Sequence, residues 1–135
     1  MQEILIIDDQ QCIRELISEG YRVHSLGDAK SVKVNLRFSK PDLVLLDLYL
    51  DEADGFGVLH DIKRQYPEIP VIIYTAYDSY REDPRVSKAD GYVIKSMAFD
   101  ELKEKIADVL AQQQAIEARG DAGTIYGKRR LALAS

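Results

Sequence analysis

Residues 4–9 read Ile4-Leu5-Ile6-Ile7-Asp8-Asp9, four apolar residues that give way directly to two acids. A run this short and unbroken suits a strand covered on both faces, because a half-exposed strand would alternate apolar with polar residues. Four more apolar runs follow, at 21–26, 43–48, 71–74 and 92–94, each closed by polar or turn residues. The segments between them carry helical spacing. This β/α alternation predicts an α/β fold, a doubly wound parallel sheet of five strands with helices on both faces.

The helices differ in clarity. In the last one, Leu102, Ile106, Val109 and Leu110 recur at one-turn intervals. The first carries Ile13, Leu16 and Ile17 on one face and stops early at Gly20. Between residues 31 and 38 two periods compete: Val32, Val34, Leu36 and Phe38 alternate as in a strand, while Ala29, Val32 and Leu36 fit a helix. A parallel sheet needs a crossover of about a dozen residues there, so helix is expected. The connection over 78–90 contains Pro84 and little apolar surface, which predicts a frayed or partial helix.

At 135 residues and 46% apolar content, the chain suits one domain able to fold by burial alone. Residues 1–110 would form that domain. The tail, 111–135, holds the glutamines of 112–114, Gly120, Gly123, Gly127 and the basic residues Lys128, Arg129 and Arg130, and reads as a helix extension or a linker. Cys12 is the single cysteine, placed to be a small apolar filler, and with no apolar leader a cytoplasmic location is expected. No run is long enough to span a bilayer. A net charge of −5 argues against direct nucleic-acid binding by this domain.

In a doubly wound sheet, functional groups gather outside the carboxyl ends of the strands. The first run ends in Asp8 and Asp9, the third in Asp47, the fourth in Thr75 and the fifth in Lys95. Carboxylates crowded there repel one another, and a divalent cation with a nearby ammonium relieves that repulsion. Oxygen donors that leave room for water and phosphate favour Mg²⁺, whereas His24 and His60 stand far apart in sequence and offer no zinc cluster. The set suits phosphoryl transfer, which needs positioning and charge neutralisation more than a strong base. Asp47 would be the nucleophile, forming an acyl phosphate. Mg²⁺ on Asp8 and Asp9, the Lys95 ammonium and the Thr75 hydroxyl would balance the phosphoryl oxygens. An inward move of Thr75 would vacate space for a ring, and Tyr92 is the candidate.

Residues 4–9 (I-L-I-I-D-D), residues 45–50 around Asp47 with Gly55 eight residues on, Thr75-Ala76 and residues 91–95 (G-Y-V-I-K) together resemble the receiver domain of two-component response regulators, over about residues 3–110. The resemblance implies a flavodoxin-like sheet in order 2-1-3-4-5. It also implies phosphoryl transfer to Asp47 from a histidine kinase or a histidine phosphotransfer protein, by a domain that is not an enzyme but assists its own phosphorylation and dephosphorylation. Asp8, Asp9, Asp47 and the Tyr49 backbone carbonyl would hold Mg²⁺. Tyr49 and Tyr77 would flank the path of attacking water, which implies slow self-dephosphorylation. An output domain or downstream protein would read a face formed by helix four, strand five and helix five, through which receivers also pair as homodimers. Asp51 and Ser96 stand where prolines are usual in the family. A peptide bond between Lys95 and Ser96 is either trans with an altered loop or cis at about 2.5–4 kcal/mol.

Other classes fit less well. A haloacid dehalogenase phosphatase needs a second Asp two residues after the first, where Tyr49 stands. A flavin or dinucleotide carrier needs a phosphate-cradling loop after the first strand, and Asp8-Asp9 would repel phosphate there. The remaining alternative is a receiver-like interaction module that works without phosphorylation.

Overall fold

The computed structural model describes residues 1–7, 13–27, 29–50, 53–96 and 99–123. Five parallel strands form the sheet: β1 (Glu3–Ile7), β2 (Arg22–Leu26), β3 (Leu43–Leu46), β6 (Val71–Thr75) and β7 (Gly91–Ile94). They lie in the order β2-β1-β3-β6-β7, which is 2-1-3-4-5 when only the strands of this sheet are counted. A second pairing, the antiparallel β4 (Tyr49–Leu50) and β5 (Ala53–Asp54), follows β3. Sequence reasoning missed it, since two-residue strands leave no periodicity to read.

Side-chain alternation along the strands fills two cores. Leu5, Ile7, Val44, Leu46, Val71 and Ile73 meet α2 (Ala29–Phe38) and α3 (Gly55–Gln65) on one face. On the other face, Ile4, Ile6, Leu43, Leu45, Ile72 and Tyr74 meet α1 (Ile13–Ser18) and α4 (Asp100–Gly123). Because each face needs an apolar side chain at every second position, covering both makes the run continuous. β2 lies at an edge and is half-buried at best, which is why its sequence admits Arg22, His24 and Ser25.

The ambiguous stretch is the helix α2. Val32 and Leu36 are buried, whereas Val34 and Phe38 remain 60% and 80% exposed, so the strand-like alternation places two large apolar side chains in solvent. α1 is short as expected, and Gly20 follows it at φ 98°, a left-handed position that glycine adopts without steric penalty. The 78–90 connection holds a single 3₁₀ turn, Pro84–Val86, capped by the Asp83 carboxylate accepting from the Arg85 N–H. α4 continues past Leu110 to Gly123, so residues 111–123 are helical extension. The basic residues at 128–130 lie outside the described residues. Among the described residues no helix is long and apolar enough to cross a membrane.

At the amino ends of the strands, Lys63 is only 11% exposed and makes three contacts. Its ammonium donates to the carbonyls of Pro67 (3.3 Å) and Ile69 (3.0 Å) and to Asp90 Oδ2 (3.1 Å). The same Asp90 oxygen accepts from the Val71 N–H at 2.8 Å. One cation thus joins the end of α3 to the starts of β6 and β7, with its charge balanced and its donors occupied.

Candidate functional site

Parallel pairing sets the carboxyl ends of the strands side by side. Ile7 is in register with Leu46, and Thr75 with Ile94. The Asp47 N–H donates to the Ile7 carbonyl at 3.4 Å, so the acid leaves the sheet at its carboxyl edge, beside the end of β1. Among the described residues its carboxylate has two partners: Oδ2 accepts from Lys95 Nζ at 2.7 Å and Oδ1 from the Tyr49 N–H at 3.0 Å. Because β6 lies between β3 and β7, the Lys95 side chain crosses one strand to make this contact. The two side chains keep 21% and 12% exposure for Lys95 and Asp47, sheltered enough to strengthen their attraction yet open to an incoming group. Cis peptide bonds are absent among the described residues, so the bond before Ser96 is trans and Lys95 reaches Asp47 all the same.

Thr75 is buried at 0% exposure. Its carbonyl accepts from the Lys95 N–H at 2.8 Å, but its hydroxyl has no hydrogen-bond partner among the described residues. A buried hydroxyl without a partner costs roughly 1–3 kcal/mol, and such orphans in folded proteins call for an explanation. The backbone of Thr75 is bonded to that of Lys95, so this hydroxyl belongs to the same carboxyl edge as the Lys95–Asp47 pair. Thr75→Val, which keeps the shape and removes the hydroxyl, is expected to stabilise the ligand-free chain by about 1 kcal/mol. Urea denaturation checks this, and a lower midpoint for the variant would mean that the hydroxyl is already satisfied.

Aromatic side chains form a rim. β4, which follows β3, contributes Tyr49 and the loop after β6 contributes Tyr77 and Tyr80, so the segments that follow Asp47 and Thr75 are joined. The Tyr49 ring lies 4.7 Å from that of Tyr77 and 5.8 Å from that of Tyr80, measured between centroids. Tyr49 and Tyr80 share a hydroxyl-to-hydroxyl hydrogen bond. That bond is the largest cause pushing the Tyr49 phenol up to about 12. Tyr80 packs edge-on against Phe56 of α3 at 5.5 Å, and the Arg85 guanidinium covers Phe56 at 3.7 Å. Tyr92 is half-buried, and its hydroxyl donates to the Tyr77 carbonyl. The Arg81 guanidinium lies 4.9 Å over its ring, and burial pushes its phenol up.

The structure therefore brings together Asp47, Thr75, Lys95, Tyr49, Tyr77 and Tyr92. Asp8, Asp9, Cys12 and Asp51 lie outside the described residues. For a metal, the described donors are oxygens, the Asp47 carboxylate and the Tyr49 backbone, which suits a hard ion such as Mg²⁺. Nitrogen donors are elsewhere, with His24 paired to Glu3 at 2.7 Å across β1 and β2 and His60 exposed on α3. Sequence reasoning missed Tyr80 because it falls in the segment with little apolar patterning. The available signal was an unusual supply of tyrosine, eight in all, with Tyr77 and Tyr80 close together after the fourth run.

Comparisons with known proteins agree with this geometry. The family model described as "Response regulator receiver domain" matches residues 4–107. The probable transcriptional regulatory protein TcrX of Mycobacterium tuberculosis is 29% identical over 114 residues, covering 79% of this chain and 49% of its own length. The chain thus spans about half the length of the curated relatives it matches. Among solved structures, the response regulator protein TrrA from Thermotoga maritima, in complex with Mg²⁺-BeF, is 35% identical with a TM-score of 0.73, covering 81% of this chain and 99% of that one. A complex of the histidine kinase ThkA with TrrA contains a chain 36% identical to this one with a TM-score of 0.72, covering 82% and 99%.

Proposed function

Because this chain belongs to the response regulator receiver domains of two-component systems, we propose that Asp47 is its phosphoacceptor and that phosphorylation switches a protein-interaction surface. The observation that carries the reading is a carboxylate held by an ammonium at 2.7 Å, at a sheet edge that also carries a buried hydroxyl with no partner among the described residues. The donor is a phosphohistidine on a histidine kinase or a phosphotransfer protein, a reading supported by the ThkA complex of the similar TrrA. One Asp47 oxygen attacks phosphorus, an O–P bond forms, and the N–P bond breaks with its electron pair leaving on the imidazole, which takes up a proton.

Asp8, Asp9, Asp47 and the Tyr49 carbonyl would hold Mg²⁺, which supplies charge neutralisation for the phosphoryl oxygens. The chain's own groups do the rest. Lys95 turns from the carboxylate toward a phosphoryl oxygen, and the Thr75 hydroxyl donates to another, gaining the partner it lacks. That pull on Thr75 is the coupling between chemistry and surface. Tyr92 is the ring placed to respond through its bond to the Tyr77 carbonyl. Output domains or downstream proteins, and a second copy of the chain, are the proposed readers. The cytoplasm is the proposed location.

The test is incubation with acetyl phosphate or phosphoramidate, followed by intact mass. One phosphoryl adduct is expected with Mg²⁺ and none with EDTA. It should persist for minutes or longer after the donor is removed, because Tyr49 and Tyr77 shield it. Decay within seconds would contradict the shielding, and no adduct at all would leave the phosphorylation-independent module as the better reading.

A further inference from the structure

Tyr80 lies outside the family motifs carried by this sequence, yet it is anchored where Tyr49 and Tyr77 are not. It is half-buried, packs against the core under α2 and α3, and contacts Phe56 edge-on. Tyr49 and Tyr77 are by contrast 47% and 52% exposed. An exposed tyrosine ring is held by few neighbours and samples several rotamers. Tyr49 has a tether: its hydroxyl is bonded to that of Tyr80. Its backbone is tethered too, through the N–H that donates to Asp47.

We propose that Tyr80 is a positioning residue that sets the lifetime of the phosphorylated state, by holding the Tyr49 ring through the hydroxyl-to-hydroxyl bond between β4 and the loop after β6. The inference rests on Asp47 being the phosphoacceptor. Tyr80 touches neither Asp47 nor the phosphoryl group; it acts through Tyr49. With the tether in place, Tyr49 stays against Tyr77 and the ring pair covers the approach to the acceptor. Without it, the Tyr49 ring swings out and water reaches the acyl phosphate more often. A single net hydrogen bond of this kind corresponds to about a three- to tenfold change in the closed population, and so in the hydrolysis rate.

The test loads wild type, Tyr80→Phe, Tyr49→Phe and the double variant from phosphoramidate with Mg²⁺, removes the donor and follows adduct loss by intact mass. Each single variant keeps its ring and loses only the tether, so each should dephosphorylate about three- to tenfold faster than wild type. The double variant should be no faster than either single one, because both remove the same bond. Tyr66→Phe, at the far end of α3, should leave the lifetime unchanged. An unaltered lifetime for Tyr80→Phe, or single effects that multiply in the double variant, would overturn the proposal. So would a Tyr80→Phe effect that merely tracks a lowered melting transition. If wild type takes up no phosphoryl group, the acceptor reading itself fails, which is seen before any variant is compared.

Discussion

Asp47→Asn is expected to take up no phosphoryl group from any donor, with or without Mg²⁺, while keeping its fold. The two side chains have the same shape, and the amide oxygen can still accept from the Tyr49 N–H as Oδ1 does. What changes is the other atom. In wild type, Oδ2 carries negative charge against the Lys95 ammonium at 2.7 Å; the amide nitrogen there is a donor and has no lone pair to attack phosphorus. The loss should therefore be complete and not a graded slowing. Intact mass after donor treatment, with circular dichroism as the control for folding, checks this. An adduct of wild-type yield on the variant would move the acceptor to another residue and remove the basis for the roles given to Lys95 and Thr75.

Gly55→Ala is expected to destabilise the chain by about 3 kcal/mol, against the usual sign for this substitution in a helix, where alanine gains up to about 1 kcal/mol. Gly55 opens α3, and a β-carbon built on it would stand 2.5 Å from both Cα and the carbonyl oxygen of Leu48 and 2.7 Å from the carbonyl carbon. All three are backbone atoms, so no rotamer change relieves the clash. Either α3 or the segment carrying Leu48 must move. Leu48 is buried and adjoins Asp47, so the shift reaches the acceptor as well. Chemical denaturation measures the loss, and phosphodonor uptake should fall with it. An unchanged denaturation midpoint would mean that the helix start slides without resistance. The same distances explain why a glycine stands eight residues after the acid: the helix begins against the backbone that presents it.

Much of this was legible because the relevant signals are local. Four aliphatic residues at 4–7 and the runs that lead to Asp47, Thr75 and Lys95 disclosed a two-sided sheet and the placing of these three residues at its carboxyl edge. The helix over 29–38 was legible only through topology, since its own residues alternate like a strand and leave Val34 and Phe38 in water. Of the aromatic rim, Tyr49, Tyr77 and Tyr92 were singled out in the sequence, but Tyr80 and the contacts between the rings were not legible. These contacts join residues far apart in sequence, such as Tyr49 with Tyr77 and Tyr80, and Tyr77 and Tyr80 stand in a segment without helical or strand period. The orphaned Thr75 hydroxyl was equally hidden, because unsatisfied bonding is a property of surroundings and not of residue type.

The Lys63 ammonium makes one end of the sheet independent of the other. With α3, β6 and β7 riveted together at one end through Asp90 and two carbonyls, the strands there resist sliding against each other. At the opposite end the described cross-links are side chains of the candidate site itself, the Lys95–Asp47 pair and the hydroxyl contacts of Tyr49 and Tyr92, so an incoming group that engages them loosens ties the amino ends keep.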